Sequence, residues 1–179
     1  MSERSSGHQQ SISGLFGALV VVLVLVAAVW GLSLTHGRPS VRPAEAIDYS
    51  ADLAEAGRQA PFAVLAPADT PSGWVATSAR WSGAGPEVSW HLGFRTDDGE
   101  YVGLEQGNQS PSSFVAARTV ADQPVEPATI AGRTWSTLIS GDGDEHALVL
   151  LGEGVTTVVT GTAPEEDLIA FAASLRATD

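Results

Sequence analysis

The sequence predicts an α+β fold, with one N-terminal transmembrane helix and then a single domain in which helices cover an antiparallel sheet of about six strands. Three observations lead to this prediction. An apolar run without charged side chains stands near the N-terminus, short segments beyond it alternate apolar and polar residues, and two helical segments open at a proline. The alternating segments fall into two units of three strands, and a helix follows each unit.

Residues 12–34 form the apolar run. As a helix they would measure about 34 Å, against about 30 Å for the hydrocarbon core of a bilayer, and a helix satisfies its own backbone in lipid. The apolar part of a signal peptide is shorter and ends at small residues, whereas Trp30, Leu32 and Leu34 continue this run. We therefore expect a retained anchor, with the lipid bilayer as its partner and residues 1–11 as a cytoplasmic tail.

The charges that flank the run leave its orientation open. Only Arg4 and the terminal amine precede it, while Arg38 and Arg42 follow it, so the positive-inside rule mildly favours a cytoplasmic C-terminal domain. A leading anchor with a short tail usually places its N-terminus inside. We therefore expect the opposite arrangement, in which the C-terminal domain lies at the outer face of the cytoplasmic membrane.

Residues 35–46 are expected to form a tether, because Pro39 and Pro43 impose extended backbone on the residues before them. Residues 47–179 then form one domain, since a segment of this length suffices for one core and is short for two. This segment carries six Arg against nineteen Asp and Glu, a net charge of −13. Such a charge disfavours nucleic acid and anionic lipid surfaces as partners.

Cysteine and lysine are both absent from the chain. Without cysteine there is no disulfide, no thiol nucleophile, no thiolate metal site and no residue for a bacterial lipid anchor. Without lysine there is no Schiff base, no Walker A phosphate lysine and no Ser-x-x-Lys acylation centre. These absences exclude several enzyme classes, and no motif calls for a cofactor or a metal.

Residues 47–60 are predicted to form the first helix, which begins behind Asp48 as a cap and ends at Pro61. A short strand and a turn come next. Three longer strands are expected at residues 74–81, 88–96 and 101–106. Asp98 and Gly99 mark a tight hairpin turn between the last two strands, because glycine accepts the positive φ that such a turn needs.

The strand at residues 88–96 has two unlike faces. One face carries the apolar side chains of Val88, Trp90, Leu92 and Phe94. The other face carries the polar side chains of Ser89, His91 and Arg95. Successive side chains of a strand point to opposite sides, so one side of the sheet is predicted to be core.

The second helix is predicted from Ser110 to Arg118, with Ser110 as its cap and Pro111 at its first position. Three further strands are expected around residues 134–139, 145–151 and 155–160. The middle one is apolar on both faces and is therefore expected inside the sheet. Thr162 and Glu165 predict a capping box for the last helix. Its apolar face comprises Leu168, Phe171, Ala172 and Leu175.

A series of short motifs runs through the domain in a fixed order: FAVLAP followed by GW, SW before the hairpin, GRTW, HALVLLGEG and VVTGTAPEEDLIAFAASL. Together with the N-terminal span they resemble an actinobacterial membrane-protein family catalogued as domain of unknown function 4245. The resemblance covers most of the chain and is carried by Trp74, Trp90, Trp135, Gly161 and the closing helix. It implies no activity and no site residues. A more distant resemblance, to the Mog1 and PsbP group, implies an antiparallel α/β/α sandwich.

The turn GDGDEH is one candidate for chemistry. Asp142 and Asp144 are spaced as at the start of a calcium loop. However, Ala147 stands where that loop needs glycine, and Glu153, at the twelfth position, lies beyond a predicted strand. We interpret the segment as a polar turn, with weak contact to a cation as the alternative.

Four tryptophans follow the span: Trp74, Trp81, Trp90 and Trp135. Their large rings could line a pocket for an apolar ligand or a surface for a partner, because each offers a broad apolar area with one donor. They could equally fill the core. Core packing is favoured, since a few such rings dominate the interior of a small single-sheet domain.

The leading hypothesis is a non-enzymatic, membrane-anchored envelope protein whose domain binds a protein partner or an apolar ligand. The alternative is an extracytoplasmic hydrolase in which His91 or His146 acts with a Ser and an Asp. Neither histidine stands in an acid–base or metal-binding spacing, so no catalytic residue is predicted. An exposed apolar groove would favour the first hypothesis, and a Ser, a His and an Asp within hydrogen-bond reach would favour the second.

The predicted orientation can be tested with protease added to intact spheroplasts. We expect digestion of residues 47–179, because a domain at the outer face of the membrane is accessible to the enzyme. A cytoplasmic protein of the same cells serves as the control for lysis. Protection of the domain until the cells are lysed would show that it faces the cytoplasm.

Overall fold

The computed structural model describes residues 45–83 and 85–178. The predicted tail, the predicted transmembrane helix at residues 12–34 and the tether up to residue 44 lie outside this part of the chain. Within the described residues, the helices are too short or too polar to cross a bilayer.

Three helices and ten strands make up the described residues, which confirms the predicted α+β class with an antiparallel sheet. The helices are α1 (Ser50–Gln59), α2 (Pro111–Arg118) and α3 (Glu165–Ser174). The strands are β1 (Leu65–Pro67), β2 (Val75–Ser82), β3 (Ser89–Arg95), β4 (Tyr101–Gly107), β5 (Gln123–Pro124), β6 (Ala128–Ile130), β7 (Arg133–Ile139), β8 (His146–Gly152), β9 (Val155–Gly161) and β10 (Leu175–Ala177).

The main sheet has the strand order β2-β3-β4-β9-β8-β7-β5, with β6 also paired to β7, and every pair is antiparallel. The two predicted units, β2-β3-β4 and β7-β8-β9, meet where β4 pairs with β9. The sheet has eight strands rather than about six because β5 and β6 add to the outer edge of β7. These two strands are too short to show alternation in the sequence.

The two faces of the sheet are covered by different helices. The first face, which bears Trp90, Leu92 and Phe94, packs against α1 and α3 in one hydrophobic cluster. The second face packs against α2, whose Phe114 joins Val149 and Val158 in a smaller cluster. If the two units were copies related by a two-fold axis perpendicular to the sheet, α2 and α3 would lie on the same face. Their positions on opposite faces show that the two units are not symmetric copies.

A pair of short strands, β1 and β10, lies beside the first face. The buried side chain of Gln106 holds the β1 segment, accepting a hydrogen bond from Leu65 N (2.7 Å) and donating to Ala63 O (3.2 Å). Trp90 Nε1 donates to Leu65 O (3.0 Å). The chain after α1 is thereby fixed to the core through satisfied polar groups.

The start of α3 differs from the prediction of a capping box. The N-cap residue is Pro164, and its cap has no side-chain hydrogen bond. Thr162 Oγ1 instead donates to Glu100 Oε2 (2.6 Å) and accepts from Tyr101 N (3.1 Å). The predicted capping box is wrong. Beyond the end of β9 the chain stays hydrogen-bonded to Tyr101 at the start of β4, so Thr162 lies too far before α3 to reach its first turn.

The apolar face of α3 matches the prediction, since Leu168, Phe171 and Ala172 are buried in the first cluster. Leu168→Ala should lower the stability of the chain by about 2–5 kcal/mol, because it removes a buried side chain and leaves a cavity. The midpoint of thermal unfolding should fall by roughly 10 °C. Glu166→Ala, an exposed change on the same helix, is the matched control. Equal midpoints for the two variants would show that the helix does not contribute to the core.

Candidate functional site

Three neighbouring strands bring polar side chains together on the second face. His91 on β3 lies opposite Glu105 on β4 and opposite Arg80 on β2. Ser78 lies opposite Gly93, one pair further along the same face. Directly opposite residues of an antiparallel pair share a face, so these side chains point to the same side of the sheet. We call Ser78, His91 and Glu105 the β2–β4 cluster.

A β-bulge determines which residue of β2 joins this cluster. The pairing passes from Ala76 opposite Phe94 to Ser78 opposite Gly93, so one residue of β2 is extra at this point. Thr77 is that residue, and its Oγ1 donates to Gly93 O (3.2 Å). Without the bulge, Ser78 would face the apolar first cluster, because a shift of one residue exchanges the two faces of a strand.

The cluster is a linear chain of two short hydrogen bonds. Ser78 Oγ lies 2.8 Å from His91 Nε2, and His91 Nδ1 lies 2.6 Å from Glu105 Oε1. An ionised carboxylate can only accept, so in the neutral imidazole Nδ1 carries the proton and Nε2 accepts from the serine hydroxyl. The side chain of His91 is 19% exposed and that of Glu105 is 8% exposed. The cluster therefore opens to solvent at its serine end.

Arg118, the last residue of α2, closes the buried end of the cluster. Its Nε lies 3.6 Å from Glu105 Oε2, and its Nη2 lies 3.5 Å from Ser89 Oγ. The guanidinium also sits 5.2 Å from the centre of the Phe114 ring. The guanidinium places a positive charge beside the carboxylate without a hydrogen bond to its Oε2, and it attaches α2 to the polar half of the second face.

Two glycines leave room for Tyr101 beside the cluster. A Cβ on Gly103 would lie 2.7 Å from Tyr101 Oη, and a Cβ on Gly93 would lie 3.0 Å from the same oxygen and against Ser78 Oγ. The phenol therefore lies along the sheet next to the serine. Burial, together with the carboxylates of Glu105 and Glu145, raises the pKa of Tyr101 to about 12.

An apolar groove lies on the same face, on the other side of α2. It has a volume of about 380 Å³ and is open to solvent. Its apolar lining comprises Pro111, Val115, Ala116, Ala121, Leu138, Val149 and Leu151, and its polar lining comprises Ser112, Thr119, Asp122 and Ser136. Leu151 is 63% exposed and is continuous with the other apolar side chains of this lining, so the apolar surface forms a patch rather than an isolated residue. We call this depression the α2 groove.

The four tryptophans do not form one surface. Trp90 and Trp135 are wholly buried in the first cluster, so they cannot touch a partner. Trp81 is half-buried and donates to Gln59 Oε1 (3.2 Å). Trp74 is half-buried and stacks on Phe171, with ring centres 5.7 Å apart, at the wall of a small depression beside α3. Their common role is packing around the first face.

The GDGDEH segment is a polar turn between β7 and β8, as predicted. Asp142 Oδ1 accepts from Ser140 Oγ (2.6 Å) and from Asp144 N (3.3 Å), and these bonds lower the pKa of Asp142 below its ordinary value. Glu145 faces away from the turn and accepts from Thr160 Oγ1 (3.0 Å). No group of three or more acidic or histidine side chains in the described residues is placed to hold a metal ion.

The β2–β4 cluster combines residues that sequence reasoning treated separately. His91 was singled out, but Glu105 and Ser78 were not. The predicted Asp98–Gly99 hairpin is the signal that could have identified Glu105. The turn is closed by a hydrogen bond from Thr96 N to Glu100 O (2.9 Å), and the register that follows places His91 opposite Glu105. No comparable signal exists for Ser78, because the bulge shifts β2 by one residue.

Comparisons with known proteins give one family and distant structural likeness. A family model described as "Protein of unknown function (DUF4245)" matches residues 8–175. No curated protein matches the chain. Among solved structures, the crystal structure of MucB in complex with MucA(peri) is similar, with 15% sequence identity and a TM-score of 0.37. The likeness covers 66% of this chain and 38% of that chain.

The raised pKa of Tyr101 predicts a loss of stability in alkali. The ordinary value is 10.0 and the folded value is about 12. Between these values the unfolded state has released the phenol proton that the folded state still holds, so the stability is intact below pH 10.0 and falls as pH rises toward 12.

Tyr101→Phe should remove this dependence, because phenylalanine has no proton to lose. Denaturant unfolding at several pH values across this window measures the effect, and Tyr49→Phe controls for the other tyrosine of the chain. If the slope of unfolding free energy against pH is the same in wild type and Tyr101→Phe, the phenol is not perturbed by the fold.

Proposed function

This chain belongs to the family described as a protein of unknown function, DUF4245, and we propose that its described domain binds a protein partner whose apolar side chains enter the α2 groove. The observation that carries the proposal is the exposure of Leu151 at the rim of an apolar depression. A large apolar side chain left in water is unfavourable by about 25 cal/mol per Å² of apolar surface. A partner that covers Leu151 recovers this free energy.

The form of the groove supports a protein rather than a small ligand as the occupant. Sites for small molecules enclose most of the ligand surface, whereas this groove is open along its outer side. Its lining is mainly apolar, with Val115, Leu138 and Val149, and also includes Ser112, Thr119 and Asp122. Apolar area accompanied by polar groups is the usual composition of a protein–protein interface.

The proposed setting of this binding is the outer face of the cytoplasmic membrane. It rests on the length of the apolar run at residues 12–34 and on the net charge of −13 over residues 47–179. An acidic domain is repelled by anionic lipid headgroups, so it would be held clear of the bilayer and free to meet a partner in the same compartment.

Photo-crosslinking in the cells of origin identifies the partner. The full-length chain carries a benzoylphenylalanine at Leu151, and a second version carries it at Asp98, an exposed turn residue away from the groove. We expect an adduct from the first position that the second does not give. The partner in that adduct is then purified and titrated against the full-length chain in detergent.

Leu151→Asp should weaken this binding about tenfold or more, because it places a charge against an apolar contact. Leu151→Met should bind like wild type, and Val125→Asp is the matched control, since Val125 is exposed but lies outside the groove lining. Equal affinity of wild type and Leu151→Asp would overturn the proposal. Lipid that copurifies with wild type and is lost in Leu151→Asp would overturn the protein occupant in favour of an acyl chain.

A further inference from the structure

We propose that Ser78 is a nucleophile activated by His91, and that the β2–β4 cluster hydrolyses carboxylic esters. This inference goes beyond binding in the α2 groove and revises the expectation that the chain has no catalytic residue. It rests on the two hydrogen bonds of 2.8 Å and 2.6 Å that join Ser78, His91 and Glu105 in that order. The acid is a glutamate, where the sequence-based hypothesis named an aspartate.

The order of the bonds assigns the role of each group. A serine hydroxyl is a weak nucleophile until a neighbouring base takes its proton, and a base works best when a third group fixes its tautomer. His91 Nε2 faces the serine and Nδ1 faces the carboxylate. His91 is therefore the base, and Glu105 is a positioning residue that acts through it.

The cluster is reachable from solvent at the end where chemistry would occur. Ser78 and His91 are half-buried, while Glu105 is buried and backed by Arg118. The α2 helix packs mainly on β9, and its last residue, Arg118, reaches Ser89 on β3 rather than Ser78 on β2. A substrate can therefore approach Ser78 Oγ from above the sheet without displacing a helix.

Tyr101 is placed to stabilise the negative charge that develops on an attacked carbonyl oxygen. Its Oη and Ser78 Oγ both lie within 3.0 Å of the point where Gly93 would carry a Cβ. Tyrosine hydroxyls serve as oxyanion donors when they point at the developing charge. The phenol is protonated at neutral pH, so it can donate to the oxyanion. An ester is the expected substrate, since it is cleaved more readily than an amide.

The reaction balances with water as the only co-reactant. Ser78 Oγ attacks the carbonyl carbon while its proton passes to His91 Nε2, and the C–O bond to the leaving alcohol then breaks as that oxygen takes the proton from His91. Water attacks the acyl-serine, gives a proton to His91 and releases the carboxylic acid. The proton on His91 returns to Ser78 Oγ, which restores the starting state.

A fluorophosphonate probe tests the nucleophile directly, since it forms a P–O bond to an activated serine with loss of fluoride. The full-length chain in detergent is incubated with the probe, and the labelled residue is mapped by peptide mass spectrometry. We expect one label per chain, on Ser78, and none on Ser78→Ala. His91→Gln should label about a hundredfold more slowly, because general-base assistance is lost. A nitrophenyl ester should give a burst of nitrophenolate from the unlabelled chain, and labelling should abolish that burst.

The role of Glu105 is tested by the rate of labelling per folded chain and by rescue with a conservative variant. Glu105→Gln should label more slowly than wild type, because a neutral amide does not fix the tautomer of His91 in which Nε2 accepts the serine proton. Glu105→Asp should restore part of the rate. A purely structural role for Glu105 would change the amount of folded protein and leave the rate per folded chain in place.

Ser82→Ala and His146→Gln are matched controls outside the cluster and should label like wild type. Labelling is measured on the chain alone, without a groove partner, so failure of groove binding and failure of the nucleophile are distinguished. Circular dichroism confirms the fold of each variant. Folded wild type that takes up no label, or a label mapped to a residue other than Ser78, would overturn the proposal even if a variant failed to fold.

Discussion

The pairing of β4 with β9 is the interaction on which the rest of the structure depends. It joins the two three-stranded units through six residue pairs, from Val102 opposite Gly161 to Gly107 opposite Thr156. It also demands a glycine, since a Cβ on Gly161 would lie 2.8 Å from the Tyr101 carbonyl carbon. Because this register fixes which residues of both units share a face, it fixes the two hydrophobic clusters and places the β2–β4 cluster and the α2 groove on the same face of one sheet.

The length of α2 explains why the second face has two different flanks. A helix of eight residues is about 12 Å long and about as wide, whereas six strands spaced about 4.8 Å apart span about 24 Å. The helix therefore covers only the middle of the sheet, where Phe114 packs over Gly107. One flank of the second face exposes polar side chains to water, and the other flank exposes the apolar lining of the groove. The two candidate sites are thus consequences of one short helix.

Much of this arrangement follows from local sequence signals, and the remainder depends on long-range pairing. The apolar patterns of short segments predict the six long strands, by alternation in β3 and by a run apolar on both faces in β8, and the turn at Asp98–Gly99 predicts the β3–β4 register. The bulge that turns Ser78 toward His91 has no local signature, since it arises from how β2 meets β3. The groove could not be predicted from the sequence either, because its walls come from α2, β7 and β8. These elements are brought together by the β4–β9 pairing.

Two adjacent polar residues of β4 are buried with unequal hydrogen bonding. Gln106 faces the first cluster and is saturated, with bonds to Leu65 N, Ala63 O and Thr157 Oγ1. Glu105 faces the other way, and within the described residues its Oε2 has no hydrogen-bond partner, while Arg118 Nε stays 3.6 Å away. Burying a carboxylate with incomplete pairing costs several kcal/mol, and apolar residues at such a position are often as stable or more so. The fold bears this cost on the carboxylate that accepts from His91 Nδ1, at the buried end of the β2–β4 cluster.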